Sequence, residues 1–355
     1  MEFVSNPLSP SVFIRVHPWF NLSVDTLKFK LTIAYDGTNY EGWQAQKTGT
    51  GVQQKVEESL AELFPGKPRV HSSSRTDAGV HALGMVAHVE IPKAEFKMPA
   101  RKLVLALNAW LPEDIRVMSA RLCRADFHSR FDATGKQYRY LIWNKTAMNP
   151  LLRHQAWHVP TPLDLDAMQA AARRFLGKHD FKSFAGARNY EMESTVRTVT
   201  RCDIKRNGAL LTFVIEGDGF LYKMCRGMVG TLVQVGQGKF AAAEIKRMLG
   251  RKDRRVAGMT APAHGLVLWK VFYKNPNSKS QMKSESKTMA VASMRLGVVW
   301  SLKFEVWFLV FTLCTSSWLN RKFRRTQATW RASARRRGRR CTSSNRSASN
   351  STTNN

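Results

Sequence analysis

Cysteine is scarce and unpatterned. The five residues, Cys123, Cys202, Cys225, Cys314 and Cys341, are odd in number and contain no C-x-x-C pair. That spacing excludes a disulfide framework and a cysteine zinc site, and it fits a reducing cytoplasm. Acidic residues are also in short supply, 26 against 56 Lys plus Arg, for a formal net charge of +30. Such an excess selects no fold, but it points to a polyanionic partner. The nucleotide-cradling patterns G-x-x-x-x-G-K-[ST] and G-x-G-x-x-G are absent, as is H-E-x-x-H. The nine histidines are dispersed; His71, His81 and His88 lie close in sequence but match no standard metal spacing. There is no internal repeat. The N-terminal stretch opens with an acid and is broken by Pro7, Pro10 and Pro18, which makes a poor secretory signal.

What is present divides the chain into a body and two appendages. Residues 1–26 read as a poorly ordered extension. Residues 276–355 are low in complexity, carry a net charge of +14 and include the run ARRRGRR, so they read as a disordered basic tail. The rest of the chain keeps a net charge of +16, so the polyanion reading does not depend on the tail. Within the tail, residues 296–314 form an apolar stretch of nearly membrane-spanning length. Lys303 and Glu305 near its middle argue against a span, since each costs about 2.5–3.5 kcal/mol on insertion scales.

In the body, LKFKLTIAYDG alternates apolar and polar residues and predicts a strand closed by a turn at Asp36-Gly37. Val52, Val56, Leu60, Leu63 and Phe64 fall on one helical face over 52–64. Further strands are expected at 84–91, 115–123, 136–143, 198–206, 209–217 and 265–273, the fifth and sixth of the chain's strands paired through a turn at Asn207-Gly208. Helices are expected at 100–111, 164–177, 221–236 and 242–249. This mixed order, with hairpins in place of strict βαβ alternation, predicts an α+β fold with helices over a largely antiparallel sheet.

Three polar residues sit in settings that do not look solvated. Asp77 lies in SSRTDAGVHA among small residues and ahead of an apolar strand. Tyr138, with Tyr140, lies on one face of the strand KQYRY, and Arg226 sits beside the apolar stripe of its helix. Each alone has a plainer reading: a turn aspartate, a core aromatic, a surface arginine.

Taken together with their surroundings they carry a resemblance. AYDGTNYEGWQAQ (34–46), SSRTDAGVHA (73–82), FHSRFDATGKQYRY (127–140), HDFKSFAG (179–186), GFLYKMCRGMVGTL (219–232) and APAHGLVL (261–268) resemble, in order, the motifs of the tRNA pseudouridine synthase A family. The resemblance covers about residues 28–273. One departure is Ser72-Ser73-Ser74, where the family often has glycine.

The resemblance implies two ferredoxin-like α/β halves, 27–126 and 127–275, forming a central, mostly antiparallel sheet with flanking helices. It implies an isomerase that converts uridine to pseudouridine at positions 38–40 of the tRNA anticodon arm, with no cofactor and no metal, working as a cytoplasmic homodimer. Asp77 matches the family's nucleophile, Arg226 its cationic partner, Tyr138 the active-site tyrosine, and Arg75 an RNA-contacting arginine. A carboxylate in a dry nucleoside pocket needs a nearby cation to stay ionised, so the pairing is chemically coherent. Two other readings stay open at this level. One is a tRNA-binding or chaperone protein that kept the fold without the chemistry. The other is a membrane-associated RNA-binding protein built on the tail.

Overall fold

A computed structural model describes residues 25–44, 49–187 and 193–274. The extension 1–24, the tail and its apolar stretch 296–314 lie outside the described residues. Among the described residues ten strands form one sheet: β1 (Thr26–Tyr35), β2 (Val70–Ser72), β3 (His81–Pro92), β4 (Ile115–Leu122), β5 (Ala133–Trp143), β6 (Trp157–His158), β7 (Gly177–Asp180), β8 (Val196–Asn207), β9 (Leu210–Gly217) and β10 (Leu266–Tyr273). Among the described residues five α-helices accompany them: α1 (Val52–Leu63), α2 (Leu103–Trp110), α3 (Leu165–Arg173), α4 (Met224–Gly236) and α5 (Glu244–Arg251).

The sheet runs β4-β1-β3-β10-β5-β9-β8-β7, with β2 on β3 and β6 on β5. Its topology repeats. In the first half, β1, α1, β2, β3, α2 and β4 give the antiparallel order β4-β1-β3-β2. In the second, β5, α3, β8, β9, α4 and β10 give β10-β5-β9-β8, also antiparallel. Each half is therefore a ferredoxin-like βαββαβ unit. They join through a short parallel pairing, Val267 with His81 and Leu268 with Ala82, which makes one continuous α+β sheet.

Alternation explains which face is buried. Phe29, Leu31 and Ile33 of β1 are fully buried, while the residues between them are partly exposed. Val52, Val56 and Leu60 of α1 and Leu103 and Leu107 of α2 join them in the core, and Ser59 Oγ clips the two helices by donating to the Leu107 carbonyl at 2.8 Å. In the second half, Phe213 and Ile215 of β9 share a core with Met168 and Ala171 of α3 and Met228, Val229 and Leu232 of α4. Asp164 caps α3 by accepting from Ala167 N at 2.9 Å.

The elements depart from the sequence expectations in several places, among them α3, expected to run to residue 177 and ending at Arg173. The helix expected from residue 221 begins at Met224, because Lys223 adopts a left-handed conformation with φ 58° and breaks the turn before it. A 3-10 turn over Ala100–Lys102 replaces the first turn of the helix expected at 100–111. Strands β2, β6 and β7 were not expected, since none has an alternating apolar run; β7 reads GKHD.

Candidate active site

The loop after β2 carries Ser73 to Val80 back across the sheet, and its backbone is tied down at several points. Ser73 N donates to the Val86 carbonyl at 2.8 Å and Trp43 N to that of Thr76 at 3.2 Å. Val80 N donates to the Asp77 carbonyl and Gly79 N to that of Tyr40, both at 3.1 Å. The buried Thr76 hydroxyl and the Tyr35 hydroxyl of β1 share a hydrogen bond of 2.8 Å. Gly42 makes the close approach possible: its φ is +97°, and a Cβ there would stand 2.4 Å from the Thr76 carbonyl oxygen. These contacts fix where the Asp77 side chain leaves the backbone.

Arg226 arrives from the other half, in the first turn of α4. Its Nη1 donates to Asp77 Oδ2 at 3.1 Å across 149 residues of sequence. The two side chains are only 14% and 17% exposed, so little water screens the pair. Arg226 is held from behind: Nε donates to the Ala261 carbonyl at 2.8 Å, and Ala261 N returns a bond to the Arg226 carbonyl at 3.0 Å. The helix itself is seated by glycines. A Cβ on Gly227 would meet the Phe184 carbonyl oxygen at 2.4 Å, and Gly230 lies against the backbone of Met259. Among the described residues, Asp77 Oδ1 accepts no hydrogen bond, so one carboxylate oxygen is held and the other is available.

Tyr138 rises from β5 on the same side. It is 7% exposed and meets the Phe220 ring edge-on at 5.2 Å. Burial holds its phenol well above the ordinary value; the neighbouring Cys225 and the Asp77 carboxylate add to this, against the opposing effect of Ser74. Ser74 Oγ is buried and approaches the phenol without completing a hydrogen bond. Tyr138 is therefore a neutral phenol at physiological pH. Tyr140, two residues on, is different: fully buried, it donates to the Pro262 carbonyl at 2.8 Å and packs against Gly265, as a core residue does.

The structure thus brings Asp77, Arg226 and Tyr138 together at the junction of the two halves. Arg75 lies on the same loop but is exposed and makes no hydrogen bond or ion pair among the described residues. The family model for tRNA pseudouridine synthase matches residues 31–132 and 171–274. The chain belongs to the tRNA pseudouridine synthase family.

Individual relatives agree with that assignment. The chain is 44% identical to a tRNA pseudouridine synthase A of Exiguobacterium sibiricum, over 71% of this chain and 98% of the relative. It is 45% identical to that of Geobacillus kaustophilus, over 70% and 96% of the respective chains. For the Pelobacter propionicus protein the identity is 46%, over 69% and 98%. Membership makes the chain an isomerase of this family.

Two contributions to the site escaped the sequence reading, although the segments carrying them were recognised. Gly42 lies in AYDGTNYEGWQAQ and Ala261 opens APAHGLVL, yet their parts in seating the Asp77 loop and Arg226 emerge only from tertiary contacts. His81 is a third. It accepts from Gly37 N at Nδ1 (3.0 Å) and donates from Nε2 to the His264 carbonyl (2.9 Å), which joins the two halves behind the loop.

Proposed function

We propose that this enzyme isomerises uridine to pseudouridine at positions 38–40 in the anticodon arm of tRNA, with Asp77 as the nucleophile. The observation that carries the reading is the half-buried Asp77–Arg226 pair beside Tyr138. Isomerisation breaks the C1′–N1 glycosidic bond, turns the uracil and forms a C1′–C5 bond. N1 gains a proton and C5 loses one. Asp77 Oδ1, left open while Arg226 holds Oδ2, adds to C1′ or stabilises the charge that develops there. Arg226 supplies the counter-charge for the carboxylate once the nucleotide has displaced water.

Tyr138 presents a ring on which uracil stacks, and its neutral hydroxyl relays the C5 proton. The uridine must leave its stack to reach this site, and exposed Arg75 on the Asp77 loop is placed to hold the opened RNA by a phosphate or base contact. The net positive body supplies distributed backbone contacts; an open groove between α3, β7 and α5, lined by Arg173, Arg174, Lys178, Lys246 and Lys252, is one such surface.

The homodimer reading draws support from exposed apolar side chains at one end of the sheet. Leu105 and Trp110 of α2 and Met118 and Leu122 of edge strand β4 are each more than half exposed. Among the described residues no helix is long and apolar enough to cross a membrane. A tRNA substrate and a family of RNA-modifying enzymes support a cytoplasmic location. The reading is tested with tRNA transcripts labelled with tritium at uridine C5. Tritium release, with pseudouridine mapped to positions 38–40 by carbodiimide-dependent primer-extension stops, is the expected result. Binding without release would contradict it.

A further inference from the structure

Lys136 stands on β5 two residues before Tyr138. Strand alternation puts both side chains on one face, their Cα atoms about 7 Å apart. The register partner of Lys136 on β9 is Gly217, and the Phe220 ring that meets Tyr138 also lies over this glycine, 3.2 Å from where a Cβ would be. Phe220 therefore borders both positions, and Lys136 adjoins Tyr138.

The surroundings of this lysine are unusual for a half-buried ammonium. Among the described residues it makes no hydrogen bond and no ion pair. The charged groups facing it are Arg130 from the loop before β5, Arg197 from β8 and Asp218 beyond the end of β9. Burial, then the two arginines, push the ammonium down to about 8 against the pull of Asp218. It is still largely protonated at neutral pH. Asp218 is not within ion-pair distance, and its Oδ1 already accepts from Thr198 N at 3.0 Å. Arg197 is directed by its own backbone contacts, donating from Nη1 to the carbonyls of Ser194 and Val196, and its side chain runs along Gly219.

Half-buried Lys136 and Arg197, with exposed Arg130 beside them, thus have one carboxylate nearby that is out of ion-pair reach, and such a group of charges repels itself until an anion enters. An arginine or lysine on open surface is solvated and says little; a desolvated lysine flanked by arginines needs a counter-charge. We propose that Lys136, with Arg130 and Arg197, forms a subsite for a backbone phosphodiester of the RNA, the one adjoining the uridine that stacks on Tyr138. The contact is charge-assisted and blind to base identity, so it anchors the extracted nucleotide at its phosphate while Asp77 and Tyr138 act on the sugar and base. The inference rests on the tRNA reading above.

The test uses the full chain, a tRNA transcript labelled at uridine C5, and the variants Lys136→Met and Lys136→Arg. Three quantities are read: RNA affinity against salt concentration, single-turnover tritium release at saturating enzyme, and the thermal midpoint. Lys136→Met is expected to weaken binding roughly ten- to hundredfold, the worth of one charge-assisted hydrogen bond. The slope of log affinity on log salt should fall in magnitude by about 0.7–0.9, the mark of one lost phosphate contact. Single-turnover release should slow as well, because the extracted nucleotide loses its anchor; Lys136→Arg should restore affinity, slope and rate, and the thermal midpoint of Lys136→Met should not drop. Wild-type affinity and slope in Lys136→Met would overturn the proposal. So would a lowered midpoint that Lys136→Arg does not rescue, which marks a structural lysine. Binding is read separately from turnover. Absence of tritium release from the wild type would therefore count against the reaction, not against this subsite.

Discussion

Acid should destabilise this protein through one buried histidine. His88 of β3 is 3% exposed, with the His71 ring stacked 5.0 Å away and the His128 ring edge-on at 4.8 Å. Its Nδ1 accepts from Ser129 N at 3.2 Å, while the Ser129 hydroxyl donates to the His71 carbonyl at 2.6 Å. Nδ1 also lies 3.0 Å from Ser129 Oγ, whose own proton goes to the His71 carbonyl, so an incoming proton would have to displace the Ser129 N–H from that nitrogen. Burial, then His128, His71 and Lys28, hold the imidazole down at about 4 against the pull of Glu90, where 6.5 is the ordinary value. The sign follows from proton counting. Between pH 6.5 and 4 the unfolded chain carries a proton at this position and the folded chain does not, so stability is intact above 6.5 and lost as pH falls. The slope reaches about 1.4 kcal/mol per pH unit, and the loss from pH 7 to pH 4 is about 3 kcal/mol. Urea unfolding of wild type and His88→Asn at pH 7, 6, 5 and 4 isolates this contribution. Asn cannot titrate but keeps an acceptor for Ser129 N, and the remaining histidines and carboxylates are common to both proteins. The variant should start less stable at pH 7, and the gap should close by about 3 kcal/mol at pH 4. A gap that stays constant with pH would refute the reasoning.

Two further outcomes follow from the site. Tyr138→Phe keeps the ring that meets Phe220 and removes the hydroxyl; turnover should fall by roughly 10²–10⁴-fold with tRNA affinity little changed, read by single-turnover tritium release and filter binding. An unchanged rate would reduce Tyr138 to a stacking surface. Gly42→Ala places a Cβ against the Thr76 carbonyl at a φ of +97°, and should cost about 1–3 kcal/mol in urea unfolding; a stability equal to wild type would mean that the Asp77 loop is not braced there.

How far the sequence reads through to this structure depends on the range of the interaction. The alternation in β1 and the stripe of α1 are local, and they placed those elements within a residue or two. Edge strand β7 was invisible because GKHD gains its pairing from β8 and has no apolar side chain to bury. The start of α4 was misplaced because apolar periodicity continues back to Leu221, whereas the left-handed Lys223 that ends it leaves no mark in composition. Two strands of remote sequence, β3 and β10, join the halves through one short pairing that no local pattern encodes. The site follows the same division. That Tyr138 and Tyr140 share a face is plain from spacing; that one lines the site and the other the core is not. Nothing local links Asp77 to Arg226, and that pairing was legible only through the family resemblance. Nothing in the local sequence marks Lys136. Its desolvation comes from strands and loops far along the chain.

The central claim is that the carboxylate of Asp77 does the chemistry, and one substitution addresses it directly. Asp77→Asn preserves size and can still accept a hydrogen bond from Arg226, but it has no carboxylate to offer C1′. RNA affinity comes mainly from distributed phosphate contacts, so it should persist. The measurement is tritium release from tRNA labelled at uridine C5, made on Asp77→Asn protein shown by its unfolding curve to be folded and by filter binding to hold tRNA. No release above background, with binding near wild type, is the result this account predicts. Appreciable turnover by the folded, tRNA-bound variant would contradict it and place the chemistry on another residue.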